Sequence, residues 1–173
     1  MGEDFDKVIA LANHFGLNPN VDLYNWRFII QKLTFLAQVL GIDTSYVFTP
    51  YAAGPYATTL ASDYYNHREQ LSSGRTDYQL NQTEIQSVQR INEYTNLEGN
   101  MARLESASTF VYIIHKNPSL DDNEINRVFR NYKPYITKKD RILGLNQAKQ
   151  LLFKEEYLTE EIKEEMDLWD GIE

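Results

Sequence analysis

The sequence of 173 residues predicts a mainly α-helical fold with a minor β component. Apolar residues recur at three- and four-residue spacings in several segments, and glycine and proline separate those segments. Two short runs are instead rich in β-branched and aromatic residues. We therefore expect a single-domain bundle of about seven helices with a two-stranded β element. This domain spans residues 1–153, and an acidic C-terminal tail spans 154–173.

Two helices are predicted to open the chain. Residues 6–15 form a short helix that ends at Gly16. Residues 22–40 form a longer helix, because apolar positions three and four residues apart give it one buried face. On this helix we expect the stem of Lys32 to lie over the core with its charge in water.

The next segment is predicted to hold both strands and a helix between them. Residues 46–49 are β-branched and aromatic and predict the first strand. Gly54 permits a turn, and Pro55 suits the first position of a helix that runs to about Glu69. Residues 76–80 alternate in polarity and predict a second strand, which we expect to pair with the first.

The second half of the chain is predicted to be helical. Thr83 caps a helix that ends before Gly99. Three further helices span 101–116, 121–132 and 137–153, and the first is apolar around most of its circumference, as a central core helix should be. Their short connections give this half a helix-turn-helix-like order.

Charge is concentrated at the C terminus. Residues 154–173 carry a net charge of −7 out of the total of −8, whereas residues 121–153 carry +3. The tail has the pattern of an amphipathic helix, whose apolar stripe must bind the body or a partner. A solvated, solubilising terminus is the alternative interpretation. The stripe consists of Leu158, Ile162, Met166 and Trp169.

The residues that several classes of chemistry require are absent from the sequence. There is no Cys, the three His residues lack metal-ligand spacing, and no phosphate-binding glycine loop is present. We therefore expect no catalytic residue, no metal, no cofactor and no enzymatic activity. The start of the chain lacks the pattern of a secretory signal and no apolar run could span a bilayer, so we expect a cytoplasmic protein without a membrane partner.

Four short motifs occur in a characteristic order. They are Gln31-Lys32-Leu33-Thr34-Phe35-Leu36, Tyr51-Ala52-Ala53-Gly54-Pro55-Tyr56, Leu104-Glu105 and Lys133-Pro134. In order and spacing, residues 25–152 resemble the YwgA-like proteins and the wider Panacea-domain group, which includes SocA-type antitoxins. The resemblance implies a mostly helical fold. For some members it implies binding to another protein, such as a toxin to be neutralised or delivered to a protease. It implies no catalytic residues.

The leading hypothesis is a non-enzymatic protein-interaction module of antitoxin or adaptor type, and a homodimer is left open. Its candidate contact residues are Tyr51 and Tyr56 with the Gly54-Pro55 turn between them, because tyrosine offers contact area at low entropic cost. A rigid structural corner is the alternative interpretation of the same four residues. The tail stripe is the second candidate surface.

The alternative hypothesis is a winged-helix-like DNA-binding regulator whose acidic tail covers a basic corner. In it, the helix 137–153 enters the groove and the preceding helix contacts phosphates. The groove residues are Lys138, Lys139 and Arg141, and the phosphate contacts are Arg127, Arg130 and Lys133.

Overall fold

The computed structural model describes residues 2–52, 54–152, 164 and 168. These residues contain eight α-helices and one two-stranded antiparallel sheet, which confirms the mainly α class with a minor β component. The chain divides into two compact units, Met1–Asn92 and Glu93–Glu173, which we describe one at a time. The single domain over 1–153 stays a prediction.

The first unit contains most of the helices and both strands of the described residues. In chain order the elements are α1 (Glu3–His14), α2 (Tyr24–Val39), β1 (Thr49–Tyr51), β2 (Gly54–Tyr56), α3 (Thr58–Asn66), α4 (Arg68–Ser73) and α5 (Gln82–Tyr94), whose last two residues belong to the second unit. The apolar faces of α1 and α2 are buried as the periodicity predicts. They include Val8, Ile9, Leu11, Ile30, Leu33 and Leu36.

The two predicted strands are wrong in position and in pairing. Residues 46–48 carry no strand, and β1 begins at Thr49. The two aromatic side chains of this segment are instead buried outside a sheet: Phe48 packs on Phe35 with ring centroids 5.3 Å apart, and Tyr46 donates to the Asp63 carboxylate at 2.6 Å. A buried extended segment has the same residue pattern as a paired strand, so pattern alone cannot separate them.

The second predicted strand, 76–80, is absent as well. Its backbone carries no strand in the structure, and its side chains hold it to neighbouring helices. The Thr76 hydroxyl donates to the Asp6 carbonyl at 2.9 Å, and the Tyr78 hydroxyl donates to Glu84 at 2.8 Å. The sheet is instead a local hairpin, in which β1 pairs with β2 in antiparallel register.

The helix predicted to start at Pro55 begins three residues later. Pro55 lies in β2, and the helical segment is divided at His67 into α3 and α4. Gly54 has φ of 100°, a conformation that suits the residue after a tight hairpin turn and that side chains with a Cβ resist. The predicted cap of the next helix is also shifted, because Asn81 and Glu84 form the reciprocal cap in place of Thr83.

The second unit contains the three helices predicted for it. They are α6 (Met101–Lys116), α7 (Asp122–Tyr132) and α8 (Lys138–Leu152). The predicted starts of α7 and α8 are confirmed, since Asp121 caps the Glu124 amide and Thr137 caps the Asp140 amide. Residues 104–111 of α6 are all buried, as expected for the central helix. Within the part of the chain described, no helix has both the length and the apolar character needed to cross a bilayer.

The contact between α6 and α8 depends on a glycine. A Cβ atom at Gly144 would overlap the Ser106 hydroxyl and would lie 2.9 Å from the backbone nitrogen of Ala107. The serine can rotate, but the helix backbone cannot withdraw without moving α6 as a whole. The close approach of these two helices therefore requires glycine at this position.

We expect Gly144→Ala to lower the free energy of unfolding by about 1–3 kcal/mol, the usual cost of overpacking a core. Urea denaturation measures the change. Lys138→Ala, at the exposed start of the same helix, serves as the control and should change stability by less than about 0.5 kcal/mol. Equal stabilities for Gly144→Ala and the unsubstituted protein would contradict the close contact.

Candidate functional site

The hairpin is held in place by Gln31, which lies buried on α2. The Gln31 amide nitrogen donates to the Ala57 carbonyl at 3.0 Å, and the Ala57 amide donates to the Gln31 side-chain oxygen at 2.9 Å. Ala57 is buried and extended between β2 and α3, so neither of its backbone groups can bond to water. Gln31 therefore replaces the strand partner that this segment lacks.

Lys32 gives the hairpin a second anchor. Its ammonium donates to the Pro55 carbonyl at 2.8 Å and lies 4.8 Å from the centre of the Phe28 ring. The expectation that this charge lies in water is wrong, because only 1% of the residue is exposed. A charge-assisted hydrogen bond and an aromatic face compensate part of the cost of burying the ammonium. The first two motifs of the family resemblance thus contact each other directly.

Four tyrosines form a continuous cluster around the hairpin, which we call the hairpin tyrosine cluster: Tyr51, Tyr56, Tyr64 and Tyr65. The Tyr51 and Tyr56 rings are stacked, with centroids 5.2 Å apart and planes 26° from parallel. The Tyr64 hydroxyl interacts with Tyr56 and Gln31, and the Tyr64 ring meets Tyr65 edge to face at 5.1 Å. The cluster therefore extends from α3 to the end of β1.

The members of this cluster differ in exposure. Tyr51 is 63% exposed and Tyr65 is 45% exposed, whereas Tyr64 is buried and Tyr56 is half-buried. Gly54 and Pro55, the other two candidate residues, are both buried, so they shape the hairpin and leave its outer surface to the tyrosines. The arrangement places two exposed aromatic rings on a rigid, hydrogen-bonded base.

The second unit contains a buried charged cluster. Lys133 is only 2% exposed, and burial lowers its pKa below the usual value, while the nearby Glu105 carboxylate opposes this shift. Glu105 is also buried, and it accepts a hydrogen bond of 2.9 Å from the Tyr135 hydroxyl. Thus the third and fourth motifs of the resemblance also meet each other, in the second unit.

The six basic residues of the DNA-binding hypothesis differ in accessibility. The structure exposes Arg127, Arg130 and Lys138, leaves Lys139 and Arg141 half-buried and buries Lys133. Lys133 therefore does not lie where a phosphate could reach it. No residue between Lys139 and Leu152 is fully exposed, whereas a recognition helix needs an open face.

Arg141 is held within its own unit. Its guanidinium donates to the Asn126 side chain at 2.9 Å, and burial together with the charge of Arg130 lowers its pKa below the usual value. A winged helix needs a β-hairpin beside its helices. Both strands that the structure describes lie in the first unit, so the described part of the second unit has no such wing. The winged-helix hypothesis, in which the acidic tail covers the basic corner, stays a prediction.

The predicted tail stripe, Leu158, Ile162, Met166 and Trp169, lies outside the described residues. Beyond residue 152 the structure describes Glu164 and Leu168, which are both helical and exposed.

Comparisons with known proteins add no assignment. No protein-family model, curated protein or solved structure matches the chain. The family resemblance therefore stays a prediction. Among the described residues, no three His, Cys, Asp or Glu side chains are grouped so that they could hold a metal ion.

Sequence reasoning missed the buried polar side chains that support the site. Gln31 and Lys32 are consecutive polar residues between Ile30 and Leu33, on a helix that is buried around most of its middle. Two adjacent polar residues cannot both lie on one narrow solvent face of such a helix. This signal could have predicted that at least one of them is buried and bonded.

We expect Gln31→Leu to lower the free energy of unfolding by about 1–3 kcal/mol, because it leaves the buried amide of Ala57 without a partner. The Ala57 carbonyl keeps the bond that it accepts from the Ala61 amide at 3.1 Å. Chemical denaturation provides the measurement. Gln89→Leu, at an exposed position of α5, is the matched control and should change stability by less than about 0.5 kcal/mol. A Gln31→Leu protein as stable as this control would show that the two hydrogen bonds do not support the hairpin.

Burial raises the pKa of the Tyr64 hydroxyl above its ordinary value near 10. The unfolded chain releases this proton near pH 10 while the folded chain keeps it, so stability should fall as the pH rises above that value. Tyr64→Phe should therefore lose less stability than the unsubstituted protein between about pH 8 and pH 11. Urea midpoints across this range test the expectation. A Tyr64→Phe curve parallel to that of the unsubstituted protein would refute the assignment.

Proposed function

We propose that the protein is a non-enzymatic protein-interaction module that binds another protein through the hairpin tyrosine cluster. The observation that carries the proposal is the exposed, stacked Tyr51 ring, which lies on a hairpin anchored by two buried side chains of α2. Exposed large aromatic side chains on a rigid base are typical of the residues that contribute most of the energy of protein–protein binding.

Rigidity of the base is the reason why this surface is favoured over other exposed apolar residues. Binding costs conformational entropy whenever a loop or side chain must be ordered. Here the backbone on both sides of Tyr56 is already fixed by bonds from Gln31 and Lys32, and Tyr51 is paired with Gly54 of the same hairpin. A partner would therefore meet a preformed surface. Antitoxin-like neutralisation and adaptor-like delivery are the forms of this function that the sequence resemblance suggests.

A differential capture experiment tests the proposal. The immobilised full chain and its Tyr51→Ser and Tyr65→Ser variants are exposed to lysate of the cells that express the protein, and bound proteins are quantified by mass spectrometry. The matched control is Tyr132→Ser on α7 of the second unit, which is 44% exposed. We expect at least one protein to bind the unsubstituted chain and the control equally and to fall about tenfold on Tyr51→Ser, the effect of losing a contact of about 1.4 kcal/mol.

Two results would count against the proposal. One is equal recovery of every bound protein on all four chains. The other is a loss on Tyr132→Ser as large as that on Tyr51→Ser, since this would place the contact in the second unit. Circular dichroism of each variant confirms that folding is retained.

A further inference from the structure

The hairpin has an unusual pair of prolines at its centre. In the register of β1 and β2, Pro50 faces Pro55, between the pairs Thr49 with Tyr56 and Tyr51 with Gly54. Proline has no N–H, so this pair cannot exchange hydrogen bonds, and the ladder bonds belong to the two flanking pairs. The carbonyls of both prolines therefore point to the outer edges of the two-stranded sheet.

Both edges are thereby closed to a further strand. On the β2 side the Pro55 carbonyl accepts the Lys32 ammonium, and Gln31 bonds to the next backbone groups at Ala57. On the β1 side the outward-facing position is Pro50, the middle residue of a strand of three, which has no donor to offer. A peptide added as a third strand needs alternating donors and acceptors along the edge. A partner must therefore bind through the side chains.

The available side-chain chemistry is that of stacked aromatic rings. Tyr51 and Tyr56 form a nearly parallel pair, and Tyr51 leaves most of its surface in solvent. Aromatic side chains are the residues on which proline-rich polyproline II segments pack their pyrrolidine rings. Such a segment has few backbone donors and is already extended before binding, so it needs no ladder from the protein and loses little entropy. A polyproline II segment therefore matches a site that presents aromatic rings and has no free sheet edge for strand pairing.

We propose that the hairpin tyrosine cluster binds a proline-rich segment of the partner in the polyproline II conformation, packed on the exposed face of Tyr51. This inference rests on the proposed function and specifies the chemistry of the partner. The closed edges of the hairpin exclude a partner strand, and the exposed ring pair supplies the contact.

The test is isothermal titration of the full-length protein with decaproline as the probe. The comparison peptides, of equal length, are a glycine–serine repeat and an alternating valine–threonine sequence that favours strand addition. We expect decaproline to bind and neither comparison peptide to do so. Tyr51→Ala should weaken decaproline binding about tenfold or more, whereas Tyr132→Ala should leave it unchanged.

Three outcomes would overturn the inference: no heat of binding with decaproline at any soluble concentration, equal affinities for Tyr51→Ala and Tyr132→Ala, or tighter binding of the valine–threonine peptide. Tyr51→Phe keeps the ring and should retain binding, which separates stacking from a folding defect. If lysate capture still depends on Tyr51 but decaproline does not bind, the inference fails and the proposed function stands. If neither depends on Tyr51, both fail.

Discussion

The first unit depends on side-chain hydrogen bonds to buried backbone groups. Its two-stranded sheet is too small to pair all of these groups. A hairpin of two three-residue strands is marginal by itself, and the chain then turns directly into α3 through a buried, extended Ala57. The side chains of Gln31 and Lys32 supply the missing partners from α2. Without these bonds, each buried backbone group left unpaired would cost about 1–3 kcal/mol.

The second unit also contains buried polar groups, but these are side chains and not backbone groups. Its helices satisfy their own backbones, and its buried charged side chains include Lys133 and Glu105, which carry opposite charges. Removing only one of them would leave a buried charge without its counterpart, a change that is far more costly than replacing both. Each unit thus contains a buried lysine that lies beside a compensating polar group.

The fold could be predicted from the sequence wherever periodicity and caps act locally. The helices 101–116, 121–132 and 137–153 agree with α6, α7 and α8 within one residue, because their signals lie within a few residues of each end. The strands could not be placed, because extended segments around Tyr46 and Thr76 are held by side-chain bonds to distant residues. No local pattern carries the information about those partners.

At the candidate site, too, features set by neighbouring residues could be predicted, and features set by distant residues could not. A tight turn at Gly54 with flanking tyrosines follows from the residues themselves, and the structure confirms the positive φ of that glycine. The burial of Lys32 and the start of α3 at Thr58 depend on residues more than twenty positions apart, and both predictions failed for that reason.

The proposed binding contact and the stability of the hairpin therefore involve different residues. Gln31, Lys32 and Gly54 hold the hairpin and are buried, so their substitution would disturb the backbone and any bound partner together. Tyr51 is largely exposed and adds little apolar burial, so it can be changed while the base stays intact. An exposed ring that the fold does not require, on a base that the fold holds rigid, is the arrangement expected of a binding surface. For this reason substitution of Tyr51 separates binding from folding, which no buried member of the site can do.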